Sequence, residues 1–197
     1  MVDILLSFSG YAWGMLHDLA SLKAVPRVKP YLLLLSATGH LLAFYRLARY
    51  SSRFDPPASL RALCVILAPL GWAAMCYSVM VEIPFRKGWV DAGHTDELVT
   101  TGTYSMTRHP GVTWFSIAVL ATAIATRSKR LLLAAPVLIA GDVVHVAFQE
   151  EAVLPNVFGE AYREYQRNTP FVVPTPGSLA RFIGTLGTPH GSEPDAD

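Results

Sequence analysis

Two stretches of the chain concentrate the side chains able to do chemistry. Residues 98–110 hold Tyr104, Arg108 and His109, and residues 149–167 hold Glu150, Glu151, Tyr162, Tyr165 and Arg167. Each adjoins an apolar segment, and if those two segments pair antiparallel, the polar stretches meet at one membrane boundary. Ionisable groups at such a boundary are costly when unpaired, because desolvation penalises charge. Pro110 suits the first turn of a helix, which puts Arg108 and His109 at its positive end. Exposed backbone N–H groups there can receive an anion such as a carboxylate. Thr101 and Gly102 make a turn at which the chain can approach a flat ligand closely. Glu150 and Glu151 are adjacent and cannot both face one point on a helix, so one of them serves the site. A carboxylate in that place can accept ribose hydroxyls or an ammonium group. Plainer roles stay open at this point. Arg108 can bind lipid phosphate, His109 can cap a helix, the glutamates can pair with connector arginines, and the tyrosines can anchor at the interface.

The elements that must position these residues are apolar. Hydrophobic residues make up 52% of the 197, only 16% are charged, and mean hydropathy is +0.35, where soluble domains carry about 25% charge. A net charge of +1 gives no basic footprint for nucleic acid. Cys64 and Cys76 form neither a disulfide framework nor a metal pattern and are read as packing residues. Asp3 stands where a signal peptide would be basic, so the first apolar run is read as retained. The runs cover residues 4–22, 31–48, 60–83, 111–126 and 131–148. The expected fold is an all-α integral membrane protein of about five transmembrane helices. The fourth run is short, about 24 Å as a helix, so the last two can also form a hairpin that crosses incompletely. Pro155 should break the last helix, and Phe158, Ala161, Tyr162 and Tyr165 recur at the spacing of an amphipathic C-terminal helix at the interface. Residues 169–176 read as extended. The expectation is one domain over residues 1–183 and a disordered tail over 184–197. Basic residues divide almost evenly between the two sides. Only Arg163, Arg167 and Arg181 tip the site toward the cytoplasm.

At the chemical residues the chain resembles a known family. Residues 98–110, Leu-Val-Thr-Thr-Gly-Thr-Tyr-Ser-Met-Thr-Arg-His-Pro, look like the signature of the isoprenylcysteine carboxyl methyltransferases, with relatives among phospholipid N-methyltransferases and bacterial small-thiol S-methyltransferases. Glu150-Glu151, Leu154, Phe158-Gly159, Tyr162, Tyr165 and Pro170 resemble the C-terminal signature of that family. The resemblance spans residues 80–176, which it marks as a cofactor-binding half. It implies a methyltransferase dependent on S-adenosylmethionine. Leu98, Gly102, Tyr104, His109 and Pro110 would line the cofactor, with Glu150 or Glu151, Tyr162 and Tyr165 completing the pocket. Arg108 would hold the cofactor carboxylate or a substrate group. Two departures, Val112 where tyrosine is common and Asn168 where a basic residue is common, weaken any transfer of the prenylcysteine substrate.

Methyl transfer from a sulfonium demands alignment and exclusion of water more than covalent help. A carboxylate acceptor needs no base, and Arg167 is then the residue to orient it. An amine or thiol must lose a proton, for which Glu150, Glu151 or His109 are candidates. The expected partners are membrane lipids and a lipophilic or small-molecule acceptor methylated at O, S or N, with neither nucleic acid nor metal. Competing expectations are a non-catalytic membrane binding or assembly protein that kept the fold, and a haem or quinone protein using His17, His40 and His145.

Overall fold

The computed structural model describes residues 2–23, 25, 27–84, 89, 90 and 97–185. Its α-helices are α1 Val2–Leu22, α2 Lys29–Arg49, α3 Ala58–Tyr77, α4 Pro110–Ala125, α5 Lys129–Phe148, α6 Leu154–Phe158, α7 Glu160–Asn168 and α8 Pro176–Thr185. Two of them change winding where the sequence suggests they end. α3 runs into a π-helical turn at Ser78–Glu82, and α5 runs through another at Gln149–Val153 directly into α6. No strand occurs among the described residues; one bridge, between Arg53 and Ser128, ties two loops.

α1 pairs with α2 and α3 with α4, while α5 lies against α1, α2 and α4. The core joins Leu47 of α2, Val119 and Ala123 of α4, and Leu131, Ala135 and Leu138 of α5. Small residues bring the backbones close, as expected where association cannot draw on a hydrophobic drive. A Cβ on Gly71 of α3 would lie 3.0 Å from the backbone nitrogen of Ala118 on α4. The outward face is apolar instead, with Leu34, Leu41, Ile66, Leu70 and Leu133 all well exposed.

Polar groups gather at the two ends of the bundle. At one end Asp3 accepts from Arg46 at 2.6 Å and from Arg130, pinning the start of α1 to the end of α2 and the start of α5. Ser128 caps α5 by accepting from Leu131 N and donates to the Leu47 carbonyl at 2.8 Å. At the other end stand Asp18, Glu82, residues 98–110 and the segment after Phe148. Asp3 meets Arg130 and Asp18 meets His145, so α1 and α5 run parallel.

Three helical rods are long and apolar enough to cross a membrane: Lys29–Arg49, Ala58–Glu82 and Lys129–Phe158. About five crossings were expected, and among the described residues three helices qualify by length and apolarity. α4 has 16 residues, and α1 carries Asp3, His17 and Asp18, which lower its hydropathy. Pro155 does not break the last rod. It follows the π-turn, where the widened winding leaves room for a ring that would otherwise strike the preceding turn. The break comes at Gly159, with φ +59° and ψ −130°, a conformation glycine alone adopts readily. The amphipathic helix expected after it is α7. α8 was not foreseen, and it carries ordered structure through Gly184 and Thr185, where the disordered tail was expected to begin. The remainder of that tail lies outside the described residues, as do Arg86, Lys87, Asp91, His94 and Asp96 of the polar stretch between the third and fourth apolar runs.

Candidate functional site

Each π-turn delivers a glutamate to the loop that precedes α4. Glu82 is buried at the end of the first, where its Oε1 accepts from Thr103 N at 2.8 Å and its Oε2 from Thr103 Oγ1. Thr103 Oγ1 also bonds Ser78 Oγ at 2.9 Å. These contacts hold the 3₁₀ turn Gly102–Ser105, which Gly102 enters at φ +59°. Tyr104 then turns inward and donates to the Ser78 carbonyl at 3.3 Å.

The second π-turn carries Glu150, which lies at the centre of the site. Its carboxylate receives two parallel bonds from Arg108, Nε at 2.6 Å and Nη2 at 3.0 Å. It also accepts from His109 Nε2 at 2.8 Å, Tyr162 Oη at 2.9 Å and Gln166 Nε2 at 3.1 Å. Fork geometry and full satisfaction are what make a sheltered ion pair tenable. The remaining Arg108 nitrogen donates to the carbonyls of Gln166 and Thr169 at 3.0 and 2.6 Å. Phe171 packs under both side chains, 5.5 Å from the Arg108 guanidinium carbon and edge-on to His109.

The helix start expected to attract a ligand anion is thus met by Glu150 of the chain itself. Its backbone is also engaged, since Arg108 N donates to Pro170 O at 2.8 Å and His109 N to Phe171 O at 3.2 Å. Thr113 Oγ1 holds the next carbonyl, that of Val172, at 2.7 Å. Residues 169–172 therefore run as a strap over the entry to α4.

Beside this ionic centre lies an aromatic wall of Tyr104, Tyr162 and Tyr165, with Leu98, Val99, Leu154 and Phe158 packed on it. Tyr165 donates to the Tyr104 carbonyl at 2.6 Å, joining α7 to the loop. Burial pushes all three phenols up, reinforced at Tyr162 by Glu150, at Tyr165 by Tyr104 and at Tyr104 by Glu82, so each remains a donor. Burial works against the charge on Arg108, but its bonds to Glu150 outweigh this and raise it further. At His109 burial wins: the imidazole is held below its ordinary value despite Glu150, and Arg108 adds repulsion.

Of the residues singled out from sequence, Arg108, His109, Glu150 and Tyr162 meet directly, with Leu98, Tyr104 and Tyr165 in the adjoining wall and Pro110 buried at the start of α4. Glu151 points away and is exposed, and Arg167 is exposed and paired with Glu160 at 3.0 Å. Consecutive residues leave a helix in different directions, and Arg167 lies one position beyond the Gln166 that faces the site. Gln166, Glu82 and Phe171 were missed. Gln166 could have been found four residues after Tyr162, on the same helical face, and Glu82 as the lone acid ending a long apolar run.

The donor and acceptor set suits a ligand that bears a carboxylate, an ammonium and a flat ring together. The model of the phospholipid methyltransferase family matches residues 63–161, half of the chain, from within α3 to the residue before Tyr162. No curated protein matches the chain.

Proposed function

We propose, from the premise that this chain belongs to the phospholipid methyltransferase family, that it is an S-adenosylmethionine-dependent membrane methyltransferase acting at O, S or N of a lipophilic or small apolar acceptor. The observation that supports this most directly is the Glu150 cluster. Arg108 and Glu150 form a matched pair, and an amino-acid group entering there exchanges one pair for two. Arg108 takes its carboxylate, and Glu150 with Tyr162 takes its ammonium, so charge stays balanced. Leu98, Gly102, Tyr104, Pro110 and Tyr165 form the apolar side, and His109 supplies a neutral N–H. Glu151 and Arg167 are left out of this reading because of their exposed positions.

S-adenosylmethionine, when bound, supplies an electrophilic methyl group on a sulfonium. The side chains orient and shelter the reaction, and the strap over α4 excludes water from it. In the same reading α1 and α4 complete five crossings, and the Glu150 end faces the cytoplasm.

A second reading rests on the same observation. A carboxylate with five donors is also what a purely structural clasp has, and a non-catalytic assembly protein would keep it. Isothermal titration of S-adenosylmethionine into detergent-purified protein separates the two. Binding that falls more than about tenfold, a loss of ~1.4 kcal/mol, in Arg108→Met and Glu150→Gln, with labelled methyl transfer to membrane lipids, prenylcysteines or small thiols, supports the enzyme. A folded wild type that binds none overturns it.

A further inference from the structure

A second buried polar cluster lies at the same end of the bundle, where His17 and Asp18 of α1, outside the family match, meet residues within it. Asp18 accepts from His145 Nε2 and from Gln149 Nε2, both at 2.9 Å, and its other oxygen stands 3.3 Å from His17 Nδ1. His17 Nε2 faces the Trp89 carbonyl at 3.0 Å, and the two rings stack. Both nitrogens of His17 thus face acceptors, a pattern that an imidazolium satisfies in full. His145 spends its Nε2–H on the Asp18 carboxylate. Among the described residues Nδ1 of His145 has no hydrogen-bond partner. A buried carboxylate that fixes a histidine tautomer leaves the far nitrogen as a base.

A groove of about 540 Å³ runs along α1 and α5 and stops a turn short of this cluster, walled by Phe8, Tyr11, Met15, Pro136, Gly141 and Val144, within the size range of small-molecule sites. Phe8 and Val144 are exposed on the outer surface, so the groove opens where lipid chains lie. The helices are parallel, and the turn that follows Met15 and Val144 carries Asp18 and His145. Gln149 and Glu150 are consecutive, so both clusters share one π-turn.

We propose that His145 takes the proton from the methyl acceptor, that Asp18 positions it, and that the α1–α5 groove seats the acceptor's alkyl chain. This rests on the methyl-transfer reading. The acceptor is an alkyl amphiphile whose head must lose a proton, an ammonium or a thiol. The N–H or S–H bond breaks, its electron pair stays on nitrogen or sulfur as the nucleophile, and the proton moves to His145 Nδ1 and then to water. Glu150 does not serve, because Arg108, His109, Tyr162 and Gln166 already donate to it. The groups around His145 are Asp18, with His17 on its far oxygen, and Tyr11 of α1, His40 of α2, Asp142 and Gln149 on its own rod, and His109 before α4.

The test uses His145→Gln, whose amide still donates to Asp18, and Ala140→Phe, which fills the groove from an exposed position. With dodecylamine and dodecanethiol as probes, His145→Gln should lower kcat about 100-fold near neutral pH and leave S-adenosylmethionine affinity unchanged. The deficit should shrink about tenfold or more at roughly pH 9.5, where more of the probe is already deprotonated. Asp18→Asn should lower kcat without raising KM, with partial recovery in Asp18→Glu. Ala140→Phe should raise KM for dodecyl but not butyl probes, and should weaken dodecylamine binding to cofactor-free protein in calorimetry, where His145→Gln binds as wild type does. A kcat deficit in His145→Gln that is absent or independent of pH overturns the base, and unchanged dodecyl binding in Ala140→Phe overturns the groove. Wild type that binds S-adenosylmethionine but methylates neither probe also overturns the base. Wild type that does not bind S-adenosylmethionine overturns the parent reading instead.

Discussion

Glu150 is sheltered enough for its pairing to matter energetically, with side-chain exposure of 13% matching that of Arg108. Removing one partner of such a pair leaves the other charged and poorly solvated, at a cost of about 3 kcal/mol or more. Glu150→Gln should therefore destabilise the protein by about that amount in denaturant unfolding. Replacing both residues in Arg108→Met/Glu150→Met should cost less than the two single changes summed, because no charge is stranded. Additivity of the two would show that the pair contributes nothing as a pair. His109 gives a pH dependence of definite sign. Burial, aided by Arg108, holds its folded-state value low, whereas the unfolded chain takes up the proton at about 6.5. Below that pH the unfolded state binds more protons, so stability falls on acidification, while above it His109 contributes no slope. His109→Gln should flatten the fall in melting temperature between about pH 7.5 and 5.5; an unchanged slope would remove His109 as its source.

At the scale of elements, the two π-turns explain what the sequence showed and what it hid. The Arg-His-Pro entry to α4 and the Glu-Glu to Tyr-x-x-Tyr stretch were legible because proline, glycine and charge mark them locally. The choice between Glu150 and Glu151 was not, since it depends on winding, and i→i+5 bonding leaves no residue signature. Nor was the survival of the rod through Pro155, which the same turn permits. The partnership of Asp18 with His145 joins residues 127 apart and depends on α1 docking against α5. The true break, Gly159, offers a clean measurement. A Cβ there meets nothing within 4 Å, so Gly159→Ala should destabilise through backbone conformation alone, by about 1–3 kcal/mol. It should also tilt α7 and weaken the Tyr162 bond to Glu150, so that S-adenosylmethionine affinity falls with stability. A neutral substitution would mean that α7 docks without this turn.

For the whole molecule, the bundle separates an ionic end, where Asp3 clasps Arg46 and Arg130, from a chemical end built around Glu150 and Asp18. Hydropathy read this arrangement incompletely because α1 hides its polar groups from lipid. Asp3, His17 and Asp18 are buried against protein, while Val2, Leu5, Phe8 and Leu16 are exposed. A helix of 21 residues reaches about 31 Å, the thickness of the hydrocarbon core, and its outward side is apolar. α1 runs parallel to α5, as two helices separated by four reversals must. Five crossings thus put the loop before α3 and the start of α7 on opposite sides. Single cysteines at Ser52 and Glu160, in a background with Cys76→Ser, test this with an impermeant maleimide on intact cells. In the proposed orientation, which the arginines at positions 163, 167 and 181 favour, Ser52→Cys should label without permeabilisation and Glu160→Cys only after it. Labelling of both from outside would overturn the five-crossing topology. Labelling of Glu160→Cys alone would keep the topology and reverse the orientation, leaving the methyl acceptor to be met from the other face of the membrane.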